Sequence, residues 1–395
     1  MVVYPLGNEP EMNGKLVHVV VNSALSWAGN IYDLLILTYV YTELAKCLGA
    51  TVDVSTTIVG LGLIGRVAGG YVFGRLADSH GRKPVLIVST AGYALSQAGI
   101  AFSPNLLSVF VLRALQGFFM GGNWTTATVI AYEFSPPNLR SWVNGLVQAG
   151  YGLGYALTGL TFTLFPPSEW RLFLLTGAVP LVLVPYMALA IPRDRPARLQ
   201  RTESKLLSDV KGDIVRATLV ISGMFASYYS MFAVFNQNAE ALGVSREELG
   251  LGLLVANVLL AFSFLVFGRL AQKYDKKALI LLGVAGEVLS IPGMFGTFGA
   301  GLIPLWLVVY NVATGFWPLA PLLVAEIVPQ DVRATVTGTA YNVGSLIGGL
   351  SSAAIGFASQ ATNGYFVPGL VFGYVPLAVV IGVLLSWRRS RTNVG

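Results

Sequence analysis

The chain has 395 residues, of which 54% are hydrophobic and 11% charged, and its mean hydropathy is +0.68. Soluble domains carry about 25% charged residues, so a soluble multidomain enzyme is excluded, and intrinsic disorder with it. The net charge of +6 comes without a basic patch interleaved with aromatic residues, so nucleic acid is not the expected partner and a lipid bilayer is.

Twelve apolar segments of membrane-spanning length follow one another. They cover 16–44, 55–76, 84–102, 106–132, 141–165, 171–191, 214–239, 248–270, 278–298, 302–327, 334–358 and 364–387, and are called spans 1 to 12. The stretch before span 1 lacks a basic leader and a cleavage site, so span 1 is expected to be retained as a helix. Span 1 carries His18, Asn22, Ser26, Asn30 and Asp33 at steps of four, four, four and three, which places them on one helical face. A charge at mid-membrane costs ~2.5–3.5 kcal/mol on insertion scales and therefore faces a cavity as a rule. Asp33 sits near the middle of its span, where it could take up a proton on one side and release it on the other; a structural ion pair or a hydrogen-bonded protonated Asp is the competing role. Arg66 in span 2 and Arg113 in span 4 are the other charges of this half that lie away from the span ends. An arginine presents a planar fork that matches a carboxylate. Each could pair with Asp33, receive an anionic solute, or lock two helices.

Neutral polar residues continue at helical spacing. Span 4 adds Gln116 and Asn123, and span 5 adds Asn144, Gln148, Tyr151 and Tyr155. Span 10 carries Asn311, Thr314 and Trp317, and span 11 carries Tyr341, Asn342 and Ser345. Such side chains can bond a small polar ligand or one another. Pro192 to Asp213 is the longest polar stretch. It divides the chain into an N-terminal bundle, 1–191, a linker, 192–213, and a C-terminal bundle, 214–395. Away from the span ends, spans 7 to 12 carry one carboxyl, Glu287 in span 9, read as a packing or lipid-facing group that keeps its proton. Proton handling is thus expected in the first half.

With the N-terminus in the cytoplasm, twenty of the 25 Lys and Arg fall in cytoplasmic segments and three in outer loops. That bias predicts a multi-pass protein of the plasma membrane with both termini inside. The chain also repeats. GRLADSHGRK at 74–83 follows span 2, and GRLAQKYDKK at 268–277 follows span 8. Glu133 and Arg140 follow span 4 as Glu326 and Arg333 follow span 10. Two matches at nearly one offset make the halves parallel copies of a six-helix unit, an arrangement suited to alternating access.

GRLADSHGRK at 74–83 resembles the signature loop of the major facilitator superfamily of secondary transporters. Arg113 to Gly121 and Glu133 to Arg140 resemble its span-4 and following motifs. The implied architecture is an all-α membrane protein, with twelve transmembrane helices in two pseudo-repeated six-helix bundles. Tyr32-Asp33, Arg66 and RALQGFFMGGNW are similar to the sialate–proton symporter group, fungal lactate permeases included, and less closely to the metabolite–proton symporters. Gln148 to Tyr155 and Tyr341 to Ser345 resemble spans 5 and 11 of those permeases. Two positions depart: Ser227 to Met231 lacks their span-7 histidine, and Asn123 stands where many relatives have Glu.

The resemblance implies coupling through Asp33 and Arg113, and substrate contacts from Arg66, Asn30, Asn123, Gln148, Tyr151, Tyr155, Tyr341, Asn342 and Ser345. It makes Arg75, Asp78, Arg82, Glu133, Arg140, Glu326 and Arg333 gating latches. An anionic Asp78 can sit at a helix N-terminus and pair with a cation. No phosphate-binding loop, nucleophile–base pair or metal-ligand cluster occurs in the sequence, so neither enzyme activity, a cofactor nor a metal is expected. The expected function is proton-coupled symport of a small organic anion, a monocarboxylate such as lactate or pyruvate, by a monomer. The alternatives are a neutral solute such as a sugar, or another organic acid: sialate, a dicarboxylate or an aromatic acid.

Overall fold

The computed structural model describes residues 9–49, 54–194 and 203–387, and among these no strand occurs. A helix covers every predicted span. Span 1 is Glu9–Tyr39, followed by a short helix, Tyr41–Leu48. Spans 2 to 5 are Val54–His80, Arg82–Ala101, Leu106–Phe134 and Arg140–Phe162. Spans 7, 8 and 9 are Glu203–Ala241, Arg246–Leu270 and Lys276–Met294, and spans 11 and 12 are Arg333–Ala361 and Phe366–Ser386. The second part of the predicted linker is therefore helical and continuous with span 7. Residues 195–202 of that linker, with Arg195, Arg198 and Arg201, lie outside the described residues, as do Arg388, Arg389 and Arg391.

Spans 6 and 10 are not single α-helices. Span 6 runs as Trp170–Leu175, a 3-10 stretch Thr176–Val182, and Leu183–Ala190. Pro180 lies inside that stretch, where it offers no backbone N–H to the helical ladder. Span 10 runs as Ile303–Ala313, a 3-10 turn Thr314–Phe316, and Leu319–Ala325, with Pro318 at the restart.

By length and apolar composition alone, nine helices among the described residues are able to cross a membrane. The helices of spans 2, 5 and 11 fall outside that group. They are rich in Gly, Ser, Thr and amides, whose small or polar surfaces face other helices and not acyl chains. Spans 2 and 4 show the consequence. A Cβ added at Gly65 would lie 3.0 Å from the Phe118 amide nitrogen, and one at Gly121 would run into the Arg66 carbonyl. The two backbones touch directly, so only hydrogen fits at these positions. Large apolar side chains such as Leu107, Leu189, Leu251 and Phe357 are exposed, as suits a surface solvated by lipid.

The chain forms two compact units. One comprises Met1–Leu199 with Gln330–Thr339, the other Gln200–Pro329 with Ala340–Gly395. In the first unit, Val19, Leu86, Ala127, Ile130, Val147 and Met187 make a core from spans 1, 3, 4, 5 and 6.

Candidate functional site

In the first unit, the polar face of span 1 turns inward. Asn22, Ser26, Asn30 and Asp33 are fully buried. His18 at the start of the stripe bonds Tyr186 at 2.7 Å near the surface. Neither carboxyl oxygen of Asp33 has a hydrogen-bond partner among the described residues. The 3-10 stretch of span 6 brings Gly177 against it, so close that a Cβ there would run into Asp33 Oδ1 and Gln97 Cγ. The charge of Arg113 acts on Asp33 from span 4. Arg113 is itself steadied by a relay of amides. Its Nη1 donates to Gln116 Oε1 at 2.6 Å, and Gln116 Nε2 donates to Gln97 Oε1 at 2.7 Å. Span 2 leaves room for that guanidinium at Gly62, where a Cβ would lie 2.9 Å from Arg113 Nε.

The second arginine stands differently. Arg66 is 2% exposed, and its guanidinium carbon lies 5.7 Å from the centre of the Trp27 ring. No carboxylate pairs with it among the described residues, and its Nε has no acceptor. Trp27 packs edge-on against Trp124, with centroids 6.3 Å apart. Asn30 and Asn123 find each other. Asn30 Nδ2 donates to Asn123 Oδ1 at 3.1 Å and to the Met120 carbonyl at 2.9 Å, and Asn123 Nδ2 donates to Thr90 Oγ1 at 3.0 Å. These bonds tie spans 1, 3 and 4 and leave Asn30 Oδ1 without a donor. On span 5, the Tyr151 and Tyr155 rings lie 4.9 Å apart, tilted by 40°, and the buried Gln148 Nε2 has no acceptor among the described residues.

Four of the predicted gating residues converge on one end of this unit. Asp78 accepts from the Ala334 amide at 3.1 Å and, at its other oxygen, from the Thr335 amide at 2.8 Å and hydroxyl at 2.7 Å. These are the first turn of the helix Arg333–Ala361, where unpaired N–H groups favour an anion. Arg82 Nη2 reaches Asp78 Oδ1 and Glu133 Oε1, each at 3.1 Å, and the Gln330 carbonyl at 2.7 Å. Arg333 joins at Glu133 Oε1, 3.1 Å away. Burial pushes the Asp78 carboxyl up to about 6, while Thr335 and Arg82 pull the other way.

Glu133 and Arg140 have different partners among the described residues. Arg140 lies over the Tyr132 ring, 4.5 Å from its centre, and donates to its hydroxyl. Glu133 instead serves Arg82 and Arg333, because the last turn of span 4 points its carboxylate into the cluster. Arg75 stands apart, bonded to Tyr71 on its own helix at 3.1 Å.

In the second unit, Tyr341, Asn342 and Ser345 are buried on one helix. The Tyr341 ring lies 5.0 Å from Phe225 of span 7, which packs 4.9 Å from Trp317 of span 10. Glu326 accepts from Lys276 Nζ at 2.8 Å. Glu287 does not face lipid. It is 1% exposed and lies 2.8 Å from Thr314 Oγ1 at the break in span 10. Thr314 stands out in the sequence as a polar residue of span 10, but a helix-by-helix reading does not say which face of span 9 it meets.

Three residues with clear roles have weaker signals. Gln97 stands alone in an apolar span, and Gly177 reads as one glycine among 45. Asp194 accepts from the Arg82 and Lys83 amides and so caps span 3. A lone acid in a basic segment was its only sign.

The folded chain can be set beside known proteins. Over 84% of its length it is 27% identical to the probable 4-methylmuconolactone transporter of Cupriavidus pinatubonensis (strain JMP 134 / LMG 1197), of which it covers 81%. It is 25% identical to the niacin transporter NiaP of Acinetobacter baylyi (strain ATCC 33305 / BD413 / ADP1), over 93% of this chain and 92% of that one. Among solved structures, the proton:xylose symporter XylE bound to 6-bromo-6-deoxy-D-glucose superposes with a TM-score of 0.76. That match covers 93% of this chain and 95% of the other at 15% identity, a likeness of fold. The family model for the Major Facilitator Superfamily matches residues 23–353, from the polar face of span 1 to within span 11. A helical chain with these spans, this charged helix-end cluster and that continuous match belongs to the Major Facilitator Superfamily, and it is a multi-pass membrane protein whose relatives are transporters.

Proposed function

We propose that the protein is a proton-coupled symporter of a small organic anion. It works by alternating access, as a monomer in the plasma membrane with both termini in the cytoplasm. The observation that carries this reading is Asp33, a fully buried carboxyl without a hydrogen-bond partner among the described residues, acted on by the charge of Arg113. An uncompensated carboxylate in such surroundings is costly. Two arrangements relieve it: the protonated acid, or an ion pair with Arg113. Passing between them moves one proton, and a conformational change that opens Asp33 to one side and then the other carries that proton across.

Arg66 supports the anionic solute. Its guanidinium is held over Trp27 and has no carboxylate of its own. Cation–π contact holds the group in place and leaves its charge for a ligand. An arriving carboxylate would take the fork in two parallel bonds. Within the first unit, Gln148, Tyr151 and Tyr155 are the candidates for neutral contacts to a solute; within the second, Tyr341, Asn342 and Ser345 are the candidates. Asn30 and Asn123 position span 1 for it. The Asp78–Arg82–Glu133–Arg333 cluster and the Lys276–Glu326 pair are the latches that must release as the transporter changes state; Arg75 and Arg140 brace the helix ends beside them.

The names of two relatives support a carboxylate and widen its size range. Niacin and 4-methylmuconolactone each carry a carboxyl group and a small ring. Ring acids therefore stand beside lactate and pyruvate as candidates. The test is uptake of labelled lactate, pyruvate, nicotinate and a muconolactone into proteoliposomes, with xylose as the neutral control. An inward proton gradient should accelerate at least one acid and not xylose. Asp33→Asn should abolish the acceleration while exchange persists. If the gradient accelerates none of the acids, the reading fails.

A further inference from the structure

We propose that the second unit contains its own proton-binding site, at Glu287, and that its proton sets the hydrogen bonding at the break in span 10. Glu287 stands on Lys276–Met294 and is 1% exposed. Its Oε1 lies 2.8 Å from Thr314 Oγ1. The same hydroxyl lies 2.9 Å from the Tyr310 carbonyl. A threonine hydroxyl has one proton, and a carbonyl oxygen can only accept. With the proton of Thr314 committed to Tyr310, the second short contact needs a donor on the other side. That donor is the carboxylic acid of Glu287.

The surroundings point the same way. The elements chiefly packed against this helix are Ile303–Ala313, Thr314–Phe316, Leu319–Ala325 and Phe366–Ser386, while Glu203–Ala241 touches its far end, where Asn238 donates to the Met294 carbonyl. None of the four contains Lys, Arg, His, Asp or Glu. Their titratable groups are tyrosines: Tyr310, which lies within reach of a charge on Glu287, and, on the last of them, Tyr374, which donates to the Val288 carbonyl. No cation in these elements could neutralise a carboxylate, and a buried charge without one is strongly disfavoured.

The site is also built tightly. A Cβ at Gly283 would lie 2.6 Å from the Ala313 carbonyl oxygen, and one at Gly286 would lie 2.7 Å from the Ala313 Cβ. Span 9 is thus pressed onto span 10 at the residue where the α-helix gives way to the 3-10 turn. If Glu287 loses its proton, it must compete for the single proton of Thr314, and the Tyr310 carbonyl loses its share. The ionised acid therefore loosens the turn that Thr314 closes. This proton site is separate from Asp33, and its existence does not depend on the symport reading.

Infrared spectroscopy of the purified protein tests it. The carbonyl stretch of a protonated carboxylic acid is read at mildly alkaline pH in the Asp33→Asn background, which removes the one other acid among the described residues that is no more than 1% exposed. A band should remain, disappear on adding Glu287→Gln, and shift to higher frequency on adding Thr314→Val instead. Glu287→Gln keeps the length and an N–H donor for Thr314; Thr314→Val keeps the shape and removes the acceptor. Absence of the band in Asp33→Asn would overturn the proposal, as would a band that survives Glu287→Gln. A band indifferent to Thr314→Val would overturn the link to span 10. Because uptake is not measured, failure here is distinct from failure of the symport reading.

Discussion

Arg66 and Arg113 show how much two identical side chains can differ by setting alone. Arg113 is engaged by Gln116 at 2.6 Å and acts on Asp33, whereas Arg66 has an aromatic face and no acid. Replacing Arg66 by Gln should raise KM for the carboxylate by about 10- to 100-fold, the size of a charged hydrogen bond of ~1.5–3 kcal/mol. Arg66→Lys should fall between, since an ammonium keeps the charge and loses the fork. Initial uptake rates against solute concentration check both, and an unchanged KM in Arg66→Gln would favour a neutral solute. At this scale the sequence was informative where a residue is chemically conspicuous. Asp33, Arg66 and Arg113 are charges in apolar spans and announce themselves. Gln97 and Gly177 matter through contacts with residues more than a dozen positions away, which no spacing rule records.

Whole elements obey the same logic with backbone in place of side chain. Spans 2 and 4 associate through glycines, and lipid offers little gain for burying larger apolar groups. Gly121→Ala should cost about 1–3 kcal/mol, as overpacking does, and lower the unfolding temperature in detergent. The clash falls on the Arg66 carbonyl, so solute binding should weaken with it. The helix-end cluster gives a pH signature. The Asp78 carboxyl is raised from 3.8 to about 6, chiefly by burial. The folded state therefore holds that proton more tightly than the unfolded chain does. The resulting stabilisation, ~3 kcal/mol for a carboxyl moved from 3.8 to about 6, is complete below 3.8 and is lost as pH rises through about 6. Thermal unfolding of the protein against Asp78→Asn should show the difference between them changing across that window and constant above it. The helical breaks in spans 6 and 10 were only partly legible. Pro180 and Pro318 mark them, but prolines in membrane helices are common, and the register of the 3-10 turns depends on the neighbours packed there.

For the molecule as a whole, the arrangement of charges makes a topological statement with a clean test. Cys47 is the single cysteine, is exposed, and follows span 1. With both termini inside, it lies outside. A membrane-impermeant thiol reagent applied to intact cells should label it as fully as it does in broken membranes. Protection in intact cells would reverse the orientation.

The twelve spans, the internal repeat, the helix-end motifs and the buried charges are properties of local composition and period. Solvation by lipid acts on each segment separately, so these could be read from the amino acids alone. Partnerships could not. That Glu133 serves Arg82 and Arg333 while Arg140 turns to Tyr132, that Gly177 seats Asp33, and that Glu287 meets Thr314 instead of lipid are consequences of which helix faces meet. One turn of rotation or a few ångströms of slide would exchange them, and only the packed chain chooses among those alternatives.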